Sequence, residues 1–186
     1  MRSKALTMKK NIPHAAQQIK LLILDVDGVL TDGKIYVDPT QESLKAFHVQ
    51  DGLGIKLLQK SGITVAIITG KESTMVAVRA KTLGIEHVYQ NQPNKVAAFE
   101  SLLEKLSLTP EQVAYVGDDI PDLYVMSKVG LSIAVANAQP IIAQYADLQT
   151  QLPGGHGAVR EVANLLLNAQ GKLASIHSHF LTQGGW

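Results

Sequence analysis

The sequence predicts an α/β protein, a three-layer, doubly wound parallel sheet of Rossmann-like type with helices on both faces. Three observations carry that expectation. Short apolar runs alternate with longer segments of helical period, each run ends in a polar or Gly-rich turn, and two run ends carry clustered aspartates. Such alternation feeds parallel strands through crossover helices, and an open parallel sheet gathers its ligands at the carboxyl ends of its strands.

The elements follow in order. A first run, IKLLIL, closes at Leu24 and meets DVDG at once. The segment GKIYVDPTQESLKAFHVQDG breaks the alternation, because two β-prone stretches, KIYV and LKAFHV, flank the turn former DPTQ. It reads as a β-hairpin inserted over about residues 33–50. The runs TVAIIT, EHVYQ, QVAYVG and LSIAVA then separate stretches of helical period at 52–60, 73–83, 95–106, 121–128 and 140–146. A further helix near 157–168 follows the last short strand. Gly84 after Leu83 has the place of a helix C′ glycine, and Thr109, Pro110 and Gln112 form a capping-box pattern with proline at the first helical position.

Length and composition bound the rest. A chain of 186 residues with 46% hydrophobic content supports one well-buried core, and one domain is expected over residues 20–170. Residues 1–19 form an N-terminal extension. Residues 171–186 form a C-terminal tail, polar, Gly-containing and without clear period. Seventeen basic against 16 acidic residues give a net charge of +1, and with 5% aromatic content no nucleic-acid-binding face is expected. Cysteine is absent, which excludes a disulfide framework and a Cys-based zinc site and fits a reducing compartment. The basic start lacks the apolar run of a signal peptide, and no stretch is long enough to span a bilayer, so the expectation is a cytoplasmic protein without a membrane partner.

Chemistry concentrates at two strand ends. Asp25 and Asp27 follow LLIL directly and occupy the rim where ligands bind. Asp and Gly are also turn formers, so DxDG alone fits a plain turn. A calcium loop fails, because Val29 and Tyr36 stand at its fifth and twelfth positions, where oxygen ligands are required. A second cluster, Asp118, Asp119 and Asp122 in GDDIPDL, ends another strand, with no basic residue from Gly117 to Ser127. Carboxylates brought together at one rim cannot all stay ionised unless a cation joins them, and hard oxygen donors suit Mg²⁺. Thr69 and Gly70 lie between a strand and a helix, so a hydroxyl and free N–H groups face the same rim. Lys95 falls in the first turn of a helix, where the macrodipole disfavours a cation unless an anion lies opposite.

The ordered set D-x-D, Thr, Lys and G-D-D resembles the haloacid dehalogenase superfamily of phosphohydrolases. Within it DVDGVLTDG, FHVQDGLGIKLL, GDDIPDL and GGHGAVREV, from about residue 20 to 170, resemble the 3-deoxy-D-manno-octulosonate 8-phosphate phosphatase family. The resemblance implies a fold of the haloacid dehalogenase type and a magnesium-dependent phosphomonoesterase of lipopolysaccharide biosynthesis. Asp25 would attack phosphorus and form an aspartyl phosphate, with Asp27 as proton donor and later acceptor. Thr69 and Lys95 would hold the phosphoryl oxygens. Mg²⁺ would be bound by Asp25, the Asp27 backbone carbonyl and Asp118, with Asp119 and Asp122 supporting the metal and Lys95. Asp27, Gly33, Gln50, Gly70, Lys71 and Arg160 would contact a small phosphorylated sugar acid. Between Asp27 and Thr69 there is no room for a cap domain, so the site is capless and open. Resembling proteins close it as homotetramers, with the hairpins in a central barrel and a neighbour's C-terminal segment over the site. A mean hydropathy of +0.08 at low aromatic content accords with assembly.

The chain departs from the family pattern at Gln50 and Lys71, where arginine is expected. Arginine grips a carboxylate by two parallel hydrogen bonds, whereas glutamine brings no charge and lysine a point charge. Lys71 also resembles relatives acting on nine-carbon keto-acid 9-phosphates, the alternative substrate class. FHV, DGLGIKLL and GGHGAVRE favour the eight-carbon compound, with Arg160 or a neighbouring subunit's lysine supplying the lost charge. A phosphorylated receiver domain or a silent scaffold shares the α/β pattern. In a receiver, however, the lysine comes last, and here Lys95 precedes the GDD strand.

Overall fold

The structure is a computed structural model that describes residues 11–37, 39 and 42–185. Chain order runs α1 (Ile12–Gln18), β1 (Leu21–Leu24), β2 (Tyr36–Val37), β3 (Glu42–Leu44), α2 (Val49–Lys60), β4 (Thr64–Ile68), α3 (Thr74–Leu83), β5 (His87–Tyr89), α4 (Val96–Leu106), β6 (Val113–Gly117), α5 (Leu123–Met126), β7 (Leu131–Ala134), α6 (Pro140–Tyr145), β8 (Leu148–Gln149), α7 (Ala158–Ala169) and α8 (Leu173–Gln183). Six strands form one sheet in the order β5-β4-β1-β6-β7-β8, every neighbouring pair parallel. Residues 1–10 and, apart from residue 39, the DPTQ turn lie outside the described residues. Among the described residues no helix is long and apolar enough to cross a membrane.

Side-chain alternation along the strands makes the three layers. Leu22 and Leu24 of β1 join one apolar cluster with Ile55 and Leu58 of α2 and Val159, Val162 and Leu166 of α7. Leu21 and Ile23 point the other way, into a cluster with Phe99 and Leu102 of α4, Val125 of α5 and Ile142 of α6. With both faces covered, the strands read as continuous aliphatic runs. β1 lies between β4 and β6, and the chain leaves it in one direction to β4 and β5 before returning to β6 on its other side. The crevice at this reversal of strand order lies beyond Leu24 and Gly117.

Several elements differ from the sequence reading. The capping box at Thr109 forms, with the Thr109 N–H donating to Gln112 Oε1 at 3.1 Å, but it closes a single 3-10 turn, Pro110–Gln112, that feeds β6. The helix over 121–128 is a 3-10 turn, Ile120–Asp122, running into the short α5, because Asp119 and Asp122 bond the local backbone and tighten the entry. β2 and β3 pair antiparallel as the hairpin expects, yet only Leu44 of LKAFHV lies in a strand, since α2 already begins at Val49. The C-terminal segment, without an element in the sequence reading, holds α8. Leu173, Ile176 and Phe180 make an i, i+3, i+7 stripe against the cluster that contains α7, a pattern diluted by intervening Ser and His. α1 and β8 also arise where no element was read, both too short to show a period.

Two sequence motifs meet across the α2 and α7 ends. Asp51, 1% exposed, accepts hydrogen bonds from the N–H groups of Gly157 (3.3 Å) and Arg160 (2.8 Å), closing the start of α7. The preceding glycines lie directly on the loop after β1. A Cβ at Gly154 would stand 1.7 Å from Gly28 O, and the Gly155 N–H donates to Val29 O at 2.9 Å. Asp51→Ala leaves two buried donors without their acceptor and is expected to cost about 1–3 kcal/mol of stability. Urea denaturation measures this, and an unchanged midpoint would contradict the role of Asp51.

Candidate active site

The loops after β1, β4 and β6 converge on a cavity of about 350 Å³ lined by Asp25, Asp27, Thr69, Gly70, Lys71, Pro93, Lys95, Asp118, Asp119, Pro121 and Asp122. Register explains the convergence. Leu24 pairs with Ile67 on one side and Val116 on the other, so the residues just beyond these three positions emerge side by side. The Asp25 N–H donates to Val116 O (3.2 Å), and the Thr69 N–H to Tyr89 O (2.9 Å), each extending a ladder by one rung.

Lys95 sits at the start of α4 and reaches inward. Its Nζ, almost wholly buried, lies 2.8 Å from Asp25 Oδ1, 2.7 Å from Asp122 Oδ1 and 3.1 Å from the Tyr115 hydroxyl. Burial works against its charge, but Asp25 and Asp122 outweigh that effect and raise its pKa. The cation that the α4 macrodipole disfavours thus has two carboxylates opposite it. Asp122 is saturated. Its Oδ1 also takes the Tyr115 hydroxyl at 2.6 Å, and its Oδ2 takes the N–H groups of Asp118 (2.9 Å) and Asp119 (3.3 Å).

Asp25, Asp118 and Asp122 each offer an oxygen within 4.8 Å of the other two. Burial, joined by repulsion from Asp122, raises the Asp25 carboxyl to about 6 although Lys95 beside it pulls the other way. Burial, with Asp25, Asp122 and Asp119 nearby, raises Asp118 to about 8. Among the described residues no cationic side chain forms an ion pair with Asp118. Since Asp122 has no free oxygen, the donors left for a hard divalent cation such as magnesium are Asp25, Asp118 and backbone carbonyls, an oxygen set that suits it. The DVDG loop is shaped for this closeness. Gly28 has φ +93°, and a Cβ there would stand 2.1 Å from Asp118 Oδ2.

Asp27 is held differently, by an ion pair of 2.5 Å between its Oδ1 and Lys45 Nζ. Asp119 is exposed and accepts from the Ile120 N–H (2.7 Å), capping the turn. Gly70 has no close neighbour at its Cβ position, so space beside it is open. Gly33, φ +78°, lies against Gly28, outside the cavity lining. Gln50 and Arg160 line a separate cavity of about 810 Å³ with Leu53, Gln151, Leu152, Gly157, Glu161 and Asn164. Arg160 Nε donates to Asn164 Oδ1 at 3.0 Å. Nine of the candidate residues therefore meet at one cavity, and Gly33, Gln50 and Arg160 do not. Sequence reasoning missed Tyr115, Lys45 and Thr31. A tyrosine inside the aliphatic run VAYVG was a signal, since its buried hydroxyl needs a partner. Thr31, whose Oγ1 accepts from the Gly28 and Gly33 N–H groups, and Lys45 carried none.

Known proteins resemble this chain closely. The model of the family described as haloacid dehalogenase-like hydrolase matches residues 77–161. The 3-deoxy-D-manno-octulosonate 8-phosphate phosphatase KdsC of Salmonella typhimurium is 58% identical over 164 residues, 87% of each chain. The crystal structure of the 3-deoxy-D-manno-octulosonate 8-phosphate phosphatase from Yersinia pestis has a TM-score of 0.86 at 52% identity, over 88% of each chain. The phosphatase of that name from Moraxella catarrhalis, solved with a magnesium ion, a phosphate ion and a KDO molecule, has a TM-score of 0.89 at 44% identity, over 94% of this chain and 99% of that one.

The raised carboxyls set a pH dependence. Unfolded, Asp25 and Asp118 titrate near the ordinary 3.8; folded, they titrate at about 6 and about 8. The folded protein binds the extra protons from roughly pH 4 to 8, so metal-free stability is expected to fall as pH rises through that window. A divalent cation competes with those protons and stabilises more at the upper end. Thermal melts at pH 5 and pH 8, with and without excess magnesium chloride, check this; a magnesium increment independent of pH would contradict it.

Proposed function

The chain belongs to the 3-deoxy-D-manno-octulosonate 8-phosphate phosphatase family of haloacid dehalogenase-like hydrolases, and from that premise we propose that it hydrolyses this phosphate ester to the free sugar acid and phosphate. One observation carries the reading: Asp25, Lys95, Thr69 and Asp118 open on a single cavity at the carboxyl ends of β1, β4 and β6. Asp25 is the nucleophile, oriented through Oδ1 by Lys95, and its attack on phosphorus gives an aspartyl phosphate. Lys95 and the Thr69 hydroxyl stabilise the transferring oxygens, and the Gly70 and Lys71 backbone approaches from the same side. Asp27 gives a proton to the departing sugar oxygen and takes one from the water that later cleaves the acylphosphate. Asp25, the Asp27 carbonyl and Asp118 would hold magnesium, which would supply charge neutralisation for the phosphate at the nucleophile. Asp122 keeps Lys95 and the Asp118 backbone in place, and Asp119 caps that loop.

The sugar acid extends towards the rim, where Gly33, Gln50, Lys71 and Arg160 offer its outer contacts. The chain works as a cytoplasmic homotetramer in lipopolysaccharide biosynthesis. Exposed apolar side chains on the hairpin support the assembly, with Ile35 56%, Val37 69% and Leu44 47% accessible. Light scattering is expected to give four subunits, and a monomer at working concentration would overturn that part.

Asp25→Asn is expected to lower turnover at least about a thousandfold with the melting transition retained. Phosphatase activity persisting in this variant, or in excess chelator, would defeat the mechanism. For the substrate, kcat/KM on the eight-carbon 8-phosphate is expected to exceed that on a nine-carbon keto-acid 9-phosphate, and Gln50→Arg and Lys71→Arg test how the two departures contribute. A preference for the nine-carbon ester would replace the substrate and leave the chemistry standing.

A further inference from the structure

Two aspartates two residues apart on one loop have the same intrinsic chemistry, yet the reaction needs one as nucleophile and the other as proton carrier. Their partners tell them apart. Asp25 faces the buried Lys95, whereas Asp27, its side chain 30% exposed, is met by a different ammonium, that of Lys45. We propose that Lys45 is a positioning residue for the proton carrier: its ammonium holds Asp27 Oδ1 so that Oδ2 faces the departing sugar oxygen. The inference rests on the reading of Asp27 as acid and base.

Lys45 is not an ordinary surface lysine. Its side chain is 2% exposed, while Lys34, which pairs with Asp32 on the same hairpin at 3.1 Å, is 70% exposed. A solvated lysine must give up rotamer freedom to hold a partner, which leaves most surface pairs weak. Lys45 has largely given it up, because its side chain is 2% exposed in the wall of a cavity that it lines with Phe47, Thr74, Val78 and Arg79. A carboxylate at a rim rotates easily about its last torsion. Anchoring one oxygen leaves the other a single direction, and proton transfer in the transition state demands that placement.

An Asp25 oxygen bonds to phosphorus as the bond from phosphorus to the sugar oxygen breaks. The proton on Asp27 Oδ2 passes to that oxygen, and Asp27 is left anionic beside Lys45. A water oxygen then bonds to phosphorus, the bond to Asp25 breaks, and the water's proton returns to Asp27.

The test uses leaving groups on the full magnesium-loaded chain. p-Nitrophenolate departs without protonation and a sugar alkoxide does not, and kcat/KM reports the steps up to the first P–O cleavage. Lys45→Gln is expected to lower kcat/KM on the sugar ester at least about tenfold more than on p-nitrophenyl phosphate, with Asp27→Asn showing the same selectivity more strongly. The double variant should lose little beyond Asp27→Asn, since both act through one carboxyl. Lys45→Met, which keeps the apolar stem, gives the same reading if Gln disturbs folding, as thermal melts will tell. Equal losses on both esters, no loss, or additivity in the double variant overturns the role of Lys45 while a selective Asp27→Asn keeps the reading of Asp27. If Asp27→Asn is itself unselective, that reading fails and takes this proposal with it.

Discussion

One buried ammonium holds this site together. Lys95 stands between Asp25 and Asp122 at 2.8 and 2.7 Å, with the Tyr115 hydroxyl closing the group. These groups come from the ends of β1, the start of α4, the middle of β6 and the turn after it, so the network joins four separate stretches of chain. Buried charges of this kind stabilise little in net terms, because desolvation offsets attraction, but removing one partner strands the others at a cost of about 3–5 kcal/mol. The arrangement therefore specifies geometry more than it adds stability. Asp25 gains a fixed orientation from it, and Asp118, outside the neutralised group, keeps a carboxyl raised to about 8, for which a metal would compete with a proton at neutral pH.

Close backbone approach is the second constraint, and it is written in glycines. The DVDG loop can meet Asp118 only because Gly28 has no Cβ, and Gly117 is equally confined, since a Cβ there would stand 2.5 Å from Asp122 Oδ2. On the outer side the GGHG loop presses Gly154 against Gly28 O, with Asp51 tying that loop to α2. Catalytic loop, outer loop and α2 are thereby packed as one block. The same block carries Gln50 and Arg160, which line a different cavity from the aspartates.

The hairpin plays two parts. Its outer side chains are apolar and exposed, a surface that water penalises and another subunit can cover. Its exit strand delivers Lys45 to Asp27. Whatever fixes the hairpin also fixes the ammonium beside Asp27.

By itself the sequence determined the layered parallel sheet, because unbroken aliphatic runs such as LLIL and VAYVG between helical periods have no other economical burial. It also pointed to the inner site, because Asp25, Asp27, Thr69 and the GDDIPD aspartates follow strand ends, whose register brings them together, and Lys95 opens α4. What it could not determine depends on contacts distant in the chain. Lys45 meets Asp27 across 18 positions, and Asp51 meets Arg160 across 109. Arg160 carries the right charge for a sugar acid, yet the packing of the GGHG loop sets it, with Gln50, in a neighbouring cavity. α8 was hidden because three apolar residues among Ser, His and Gly show no period until α7 gives them a surface to bury against. Spacing along the chain fixes which groups stand at the end of a strand; only the folded packing decides which of them touch.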